Sequence, residues 1–124
     1  MLQGADYRII AKLLILMLLI PAGILRSQNP ADTSVIAKNA SEAYSIARRS
    51  PDMAILIAHK ALTDSKKINF TKGVADASLA LGMAYLAKYN PGDSAWYYND
   101  QALKFYEKDG DKAGMGRACY GLSY

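Results

Sequence analysis

One histidine and one cysteine carry all of this chain's imidazole and thiol chemistry, so any metal site or activated nucleophile has to be built around His59 or Cys119. His59 lies in Ala58-His-Lys-Ala61 with no second histidine or cysteine at metal-ligand spacing, whereas a zinc site needs three or four such ligands converging. Asp52, Asp76 and Asp93 stand far apart, at helix starts and faces, and do not form the close pair that general acid–base work requires. Glycines nowhere cluster into a phosphate-cradling loop. The residues therefore predict no catalytic group, no metal and no cofactor. What remains is the chemistry of recognition, and its densest patch is Trp96, Tyr97, Tyr98, Phe105 and Tyr106. Tyr98 and Phe105, seven apart, share a helix face and are expected in the core. Trp96 and Tyr97 point elsewhere, free to cover a neighbouring hairpin or to act as a ligand platform.

The elements that position these residues repeat. Read against itself at an offset of 41, the chain matches at Ala43/Ala84, Tyr44/Tyr85, Asp52/Asp93, Ala54/Ala95, Ala61/Ala102, Leu62/Leu103, Lys67/Lys108, Gly73/Gly114, Ala77/Ala118 and Leu81/Leu122. A fixed period of this size, built from apolar residues at helical spacing, marks units that must stack because none can bury its apolar face alone. Ser50-Pro51 reads as a helix start, with proline at the position where its missing N–H is harmless. Asn90-Pro-Gly-Asp-Ser94 punctuates the equivalent point, with Asp93 able to cap the next helix. Asn69 and Gly110, again 41 apart, are the residue types that best tolerate a left-handed closing turn. Five helices are predicted, roughly over 34–49, 51–68, 71–89, 93–109 and from 112 onward. Within them Ala54 and Ala61, like Ala95 and Ala102, share one face and permit close approach, while Tyr44, Leu81, Tyr85 and Leu122 supply bulk opposite.

Ahead of this region, Arg8 and Lys12 precede the apolar run Leu13–Leu25, the pattern of a secretory signal over residues 1–27, with a polar linker over 28–33. The run is short for a membrane span, yet Leu25 and Arg26 are unfavourable at a cleavage site, so a signal peptide and an uncleaved membrane anchor both remain open. Either places residues 34–124 outside the cytoplasm: exported, periplasmic, or anchored on the outer side of the cytoplasmic membrane, with membrane contact only through this segment. The net charge of +4 falls to +2 once Arg8, Lys12, Arg26 and Asp6 are set aside, leaving 12 basic and 10 acidic residues interspersed along helical faces. That distribution argues against a nucleic-acid partner. A lone cysteine excludes an intramolecular disulfide, so the chain relies on packing.

Leu81-Gly82 with Tyr85, a short turn, then Ala95 with Tyr98 and Ala102-Leu103, resembles the tetratricopeptide repeat over about residues 34–124. The resemblance implies an all-α domain of antiparallel helix hairpins stacked as a right-handed superhelical solenoid, about two and a half repeats, whose concave face holds a peptide or partner protein. The period of 41 is longer than the family's usual repeat, as in exported or membrane-bound bacterial sensor proteins that resemble it. Ser78 stands at the family's leading tryptophan position, and Ser41 at the glycine of the first unit. Carried over, the concave positions are Lys38, Glu42, Asp76, Leu79, Met83, Arg117 and Tyr120. Cys119, aligned with Ser78, is expected to be a small packed residue. The clamp by which some cytosolic members hold a terminal carboxylate is not expected, because Glu42 and Ala80 replace its asparagines and Glu42 repels an anion.

The implied function is protein or peptide recognition, as the sensing or scaffolding part of a larger exported or membrane-associated signalling protein. Two other readings stay open: an accessory fragment of a sensor histidine kinase, and a membrane-tethered spacer. With Tyr124 inside the first helix of a third hairpin, the spacer would form a homo-oligomer through Ala113, Met115, Ala118 and Leu122.

Overall fold

The computed structural model describes Arg8 and residues 33–88 and 92–124. The chain divides into residues 1–32 and 33–124, and the second unit carries the architecture. Apart from Arg8, the expected leader lies outside the described residues, as do the linker before Thr33 and the Asn90-Pro91 part of the second unit boundary. Every regular element described is helical. The helices are α1 over 33–46 and α2 Pro51–Lys67, α3 Thr71–Ala87, α4 Gly92–Asp109 and α5 Lys112–Leu122. No helix among the described residues is long and apolar enough to cross a membrane.

Proline and small polar residues set the starts. Pro51 opens α2, and the Ser50 carbonyl accepts from the Ala54 N–H at 2.9 Å although the Ser50 hydroxyl caps nothing. Gly92, at φ 57°, opens α4 one residue earlier than expected, so Asp93 sits in the first turn, where its charge favours the helix dipole. Asp111 caps α5 by accepting from the Gly114 N–H at 2.9 Å.

The closing turns repeat atom for atom. Asn69 and Gly110 adopt φ 54° and 70°, the left-handed conformation their residue types tolerate. In each case the next N–H reaches back to the carbonyl five residues earlier, Phe70 to Ser65 and Asp111 to Tyr106, both at 2.9 Å. That is the bond pattern of a Schellman cap. The residue whose carbonyl accepts, Ser65 or Tyr106, also lies under a glycine of the next helix, Gly73 or Gly114, where a Cβ would strike its side chain.

Consecutive helices from α2 to α5 pack on one another, and α3 also meets α5. One core joins Ile36, Ala40 and Ala43 of α1 to Ala58, Ala61 and Leu62 of α2 and Val74, Ala77, Ala80 and Leu81 of α3. A second joins Ala75, Leu79, Met83 and Ala84 of α3 to Ala102 and Tyr106 of α4 and Ala118 of α5. Thirteen of the twenty buried apolar residues described are alanine, so the helices lie close and interlock through shallow relief. The expected alanine faces are buried throughout, Ala54, Ala61 and Ala102 at 0 % exposure and Ala95 at 2 %. Tyr85 is half-buried, whereas its repeat mate Tyr44 is exposed and lines a cleft instead.

Asn99 of α4 is fully buried between two glycines, Gly82 of α3 and Gly121 of α5, and a Cβ on either would collide with its amide. Gly116, by contrast, faces open space on α5. Gly82→Ala is therefore expected to destabilise the fold by about 1–3 kcal/mol through overpacking. Gly116→Ala should stabilise it by up to ~1 kcal/mol through helix propensity. Urea midpoints of the two variants moving in opposite directions would verify the slot; a neutral Gly82→Ala would refute it.

Candidate functional site

Along one side of residues 33–124 run three adjoining clefts, of about 320, 480 and 380 Å³. The first is lined by Ala37, Ala40, Ser41 and Tyr44 of α1, Lys72, Asp76 and Leu79 of α3, and Arg117 of α5. Tyr44 continues into the cleft at the end of α1, which adds Arg48, Arg49 and Met83. Arg48 and Met83 continue in turn into the largest, with Leu86, Ala87, Tyr120 and Tyr124. All these residues belong to α1, α3, α5 or their C-terminal ends. None comes from α2 or α4.

Two polar clusters mark the ends of this trough. In the first, the buried Tyr106 extends from the core and its hydroxyl donates to Asp76 Oδ1 at 2.6 Å. Lys72 Nζ holds the other carboxylate oxygen, also at 2.6 Å, one helical turn away on α3. Burial pushes the Tyr106 phenol well above its ordinary range, and the hydrogen bond to Asp76 and that carboxylate's charge push it further, while the Arg117 guanidinium opposes them. In the second cluster, Arg48 donates to the Tyr120 hydroxyl at 3.3 Å and lies 5.9 Å from that ring's centre. The hydroxyls of Tyr120 and Tyr124 are 2.7 Å apart, their rings edge to face. Hydrogen bonding to Tyr124 and then to Arg48 lowers the Tyr120 pKa, and the shared proton raises that of Tyr124.

The seven concave positions expected from the sequence divide. Asp76, Leu79 and Arg117 come together in the first cleft, and Met83 and Tyr120 in the largest. Lys38 is exposed on α1 and lines none of the three. Glu42 lines a separate cleft between α1 and α2, of about 440 Å³, with Asn39, Leu56, Ile57 and Lys60. At ~100° per residue, Lys38 lies about 100° round α1 from Ala37 and Glu42 about 100° from Ser41, and Ala37 and Ser41 line the cleft with α3. Tyr44, Arg48, Lys72 and Tyr124 complete the trough and were not expected there. The Lys72/Asp76 spacing and the Arg48-Arg49 pair at a helix end were the available signals.

Outside the trough, Tyr98 stacks on Tyr85 with ring centres 5.7 Å apart, and half-buried His59 meets the Tyr98 edge at 5.8 Å. Trp96 and Tyr97 remain 60 % and 52 % exposed on α4. Cys119 is exposed on α5, not packed like its repeat mate Ser78. Of the four residues proposed for self-association, Ala118 is buried in the core and Met115 packs against it, while Leu122 is half-buried and Ala113 exposed. Among the described residues no group of three or more His, Cys, Asp or Glu could hold a metal ion.

Comparison with protein-family models, with curated proteins and with solved structures returns no match.

The raised Tyr106 pKa has a consequence for stability. The fold favours the neutral phenol, so this contribution is fully present below the ordinary phenol pKa of about 10 and is lost as pH rises above it. Tyr106→Phe is thus expected to lower stability near neutrality by about 1.5–3 kcal/mol, the worth of a hydrogen bond to a charged group. It should also flatten the alkaline decline relative to the unaltered chain. Urea midpoints measured from about pH 8 to about pH 11 would decide this; parallel alkaline limbs would contradict it.

Proposed function

We propose that residues 34–124 are a tetratricopeptide-like helical repeat module that binds a protein or peptide along the trough. In this reading α1–α2 and α3–α4 are two hairpins, α5 begins a third, and their stacking makes a right-handed superhelix with α1, α3 and α5 inside. The observation that carries it is the lining of the three adjoining clefts, drawn wholly from alternate helices and their ends. A stack of hairpins presents the first helix of each pair to one face, and a continuous channel on that face is the length and shape of an extended segment. Its materials suit recognition too: an apolar floor at Leu79 and Met83, adaptable in the methionine, with tyrosine and arginine at the rim.

The basic, apolar segment before this module fits delivery across a membrane, and the module then serves as the sensing or scaffolding part of a larger exported or membrane-associated signalling protein.

A displayed library of random peptides, selected against the full chain, tests the binding face. Selected peptides should lose about tenfold in affinity when Tyr44→Ala and Tyr120→Ala are combined, as expected for aromatic anchors. They should be indifferent to Trp96→Ala on α4. Dependence on Trp96 with indifference to Tyr44 and Tyr120 would move the binding face and defeat the reading.

A further inference from the structure

Charge in the trough differs from charge in the chain. Beyond residue 27 the sequence carries 12 basic and 10 acidic residues. Yet Arg48, Arg49, Lys72 and Arg117 line the trough against a single carboxylate, Asp76. That carboxylate is already committed, one oxygen to the Tyr106 hydroxyl and the other to Lys72. Elsewhere Lys60, Lys67, Lys88 and Lys104 each sit within 4.0 Å of an aspartate, while the exposed Lys38, Lys66, Lys108 and Lys112 have no carboxylate that close among the described residues. Among the described residues the trough arginines have no such carboxylate: Arg48 makes do with a tyrosine hydroxyl and ring, and Arg117 lies beside a phenol.

The arginines are also placed usefully. Arg117 belongs to the first cleft, with Leu79, and Arg48 to the other two, with Met83, and Tyr44 joins the first cleft to one of Arg48's. Leu79 and Met83 are only 3 % and 6 % exposed, so the floor is apolar and closely packed. Guanidinium groups present planar donor forks that match carboxylates in a way ammonium groups do not. The one acidic side chain expected to repel an anion, Glu42, lines the cleft with Lys60 between α1 and α2 instead.

We propose that the trough binds an extended acidic segment of a partner protein, in which aspartate or glutamate side chains flank a large apolar residue. The flanking carboxylates pair with Arg48 and Arg117, and the apolar side chain lies over Met83 and against Tyr44. This rests on the trough being a peptide-binding face and adds the chemistry of its ligand. The ligand feature is a side-chain carboxylate, so the chain terminus of the partner plays no part.

The test is fluorescence anisotropy of the full chain with labelled, C-terminally amidated peptides in which glutamates flank leucine, beside their glutamine and lysine counterparts and a single-stranded oligonucleotide. The glutamate peptide should saturate, bind about tenfold tighter than the glutamine peptide as two exposed ion pairs allow, and weaken with added salt. The lysine peptide should bind least. Combining Arg48→Gln with Arg117→Gln should abolish the difference between the glutamate and glutamine peptides and leave helicity by circular dichroism intact; a glutamate preference that survives the double substitution would overturn the proposal. Equal binding of the glutamate and glutamine peptides would overturn the acidic preference while leaving the peptide-binding face standing, and tightest binding of the lysine peptide would do the same. Failure of all three peptides would remove both. An oligonucleotide that binds tighter than the glutamate peptide and depends on the same arginines would replace the acidic segment with a nucleic-acid partner.

Discussion

The width of the gaps between α3, α4 and α5 governs the rest of the structure, and one side chain bears on both gaps. Asn99 projects from α4 into space left by Gly82 on α3 and Gly121 on α5. Its Nδ2 donates to the Ala95 carbonyl at 2.9 Å, while Oδ1 has no partner among the described residues. What the side chain provides is definition: an amide of fixed size between two backbones holds α3 and α5 at set distances from α4. Because α3 and α5 also line the trough, the geometry of the exposed face is referred back to this buried contact.

Tyr106 makes a second connection of the same kind. Its ring packs beneath Gly114, its carbonyl closes the Schellman cap at Gly110, and its hydroxyl emerges at Asp76 in the first cleft. The cap, the α4–α5 packing and the polar end of the trough thus meet in one residue. In the preceding unit the same position is Ser65, whose hydroxyl donates to Ala61 and reaches no cleft. The backbone joint is common to both units, and the polar extension belongs to one.

That difference explains much of what could and could not be read from the residues in order. Helix number and approximate limits were legible, as were the two left-handed turns, because they depend on local spacing and on residue types with few conformational substitutes. The burial of Ala54, Ala61, Ala95 and Ala102 came from their period. Tyr106 was not legible as an anchor: the offset aligns it with a serine, and only three-dimensional packing shows that both sit under a glycine. The α1 side of the site departs from expectation for a related reason. Repeat equivalence transfers a position from α3 to α1 as though both had the same neighbours, but eleven of the seventeen residues of α3 are buried and only one stripe of α1 is. Arg48 was hidden because α1 ends at residue 46 and not near 49, and the turn beyond it places Arg48 beside Met83 and Tyr120.

The predominance of alanine in the core has an evolutionary consequence. An ordinary core can drift by trimming a large side chain and repacking around the loss, but alanine has nothing to trim except its methyl group. Mutation at Ala54, Ala58, Ala61, Ala77, Ala80, Ala84 or Ala102 can only enlarge the residue or unfix the backbone, and at 0 % exposure neither is readily absorbed. Drift is thereby diverted to the side chains that face outward from this frame, among them those of the trough. A scaffold of this composition tolerates little change in its frame and leaves most of its freedom to vary to the chemistry of its open face.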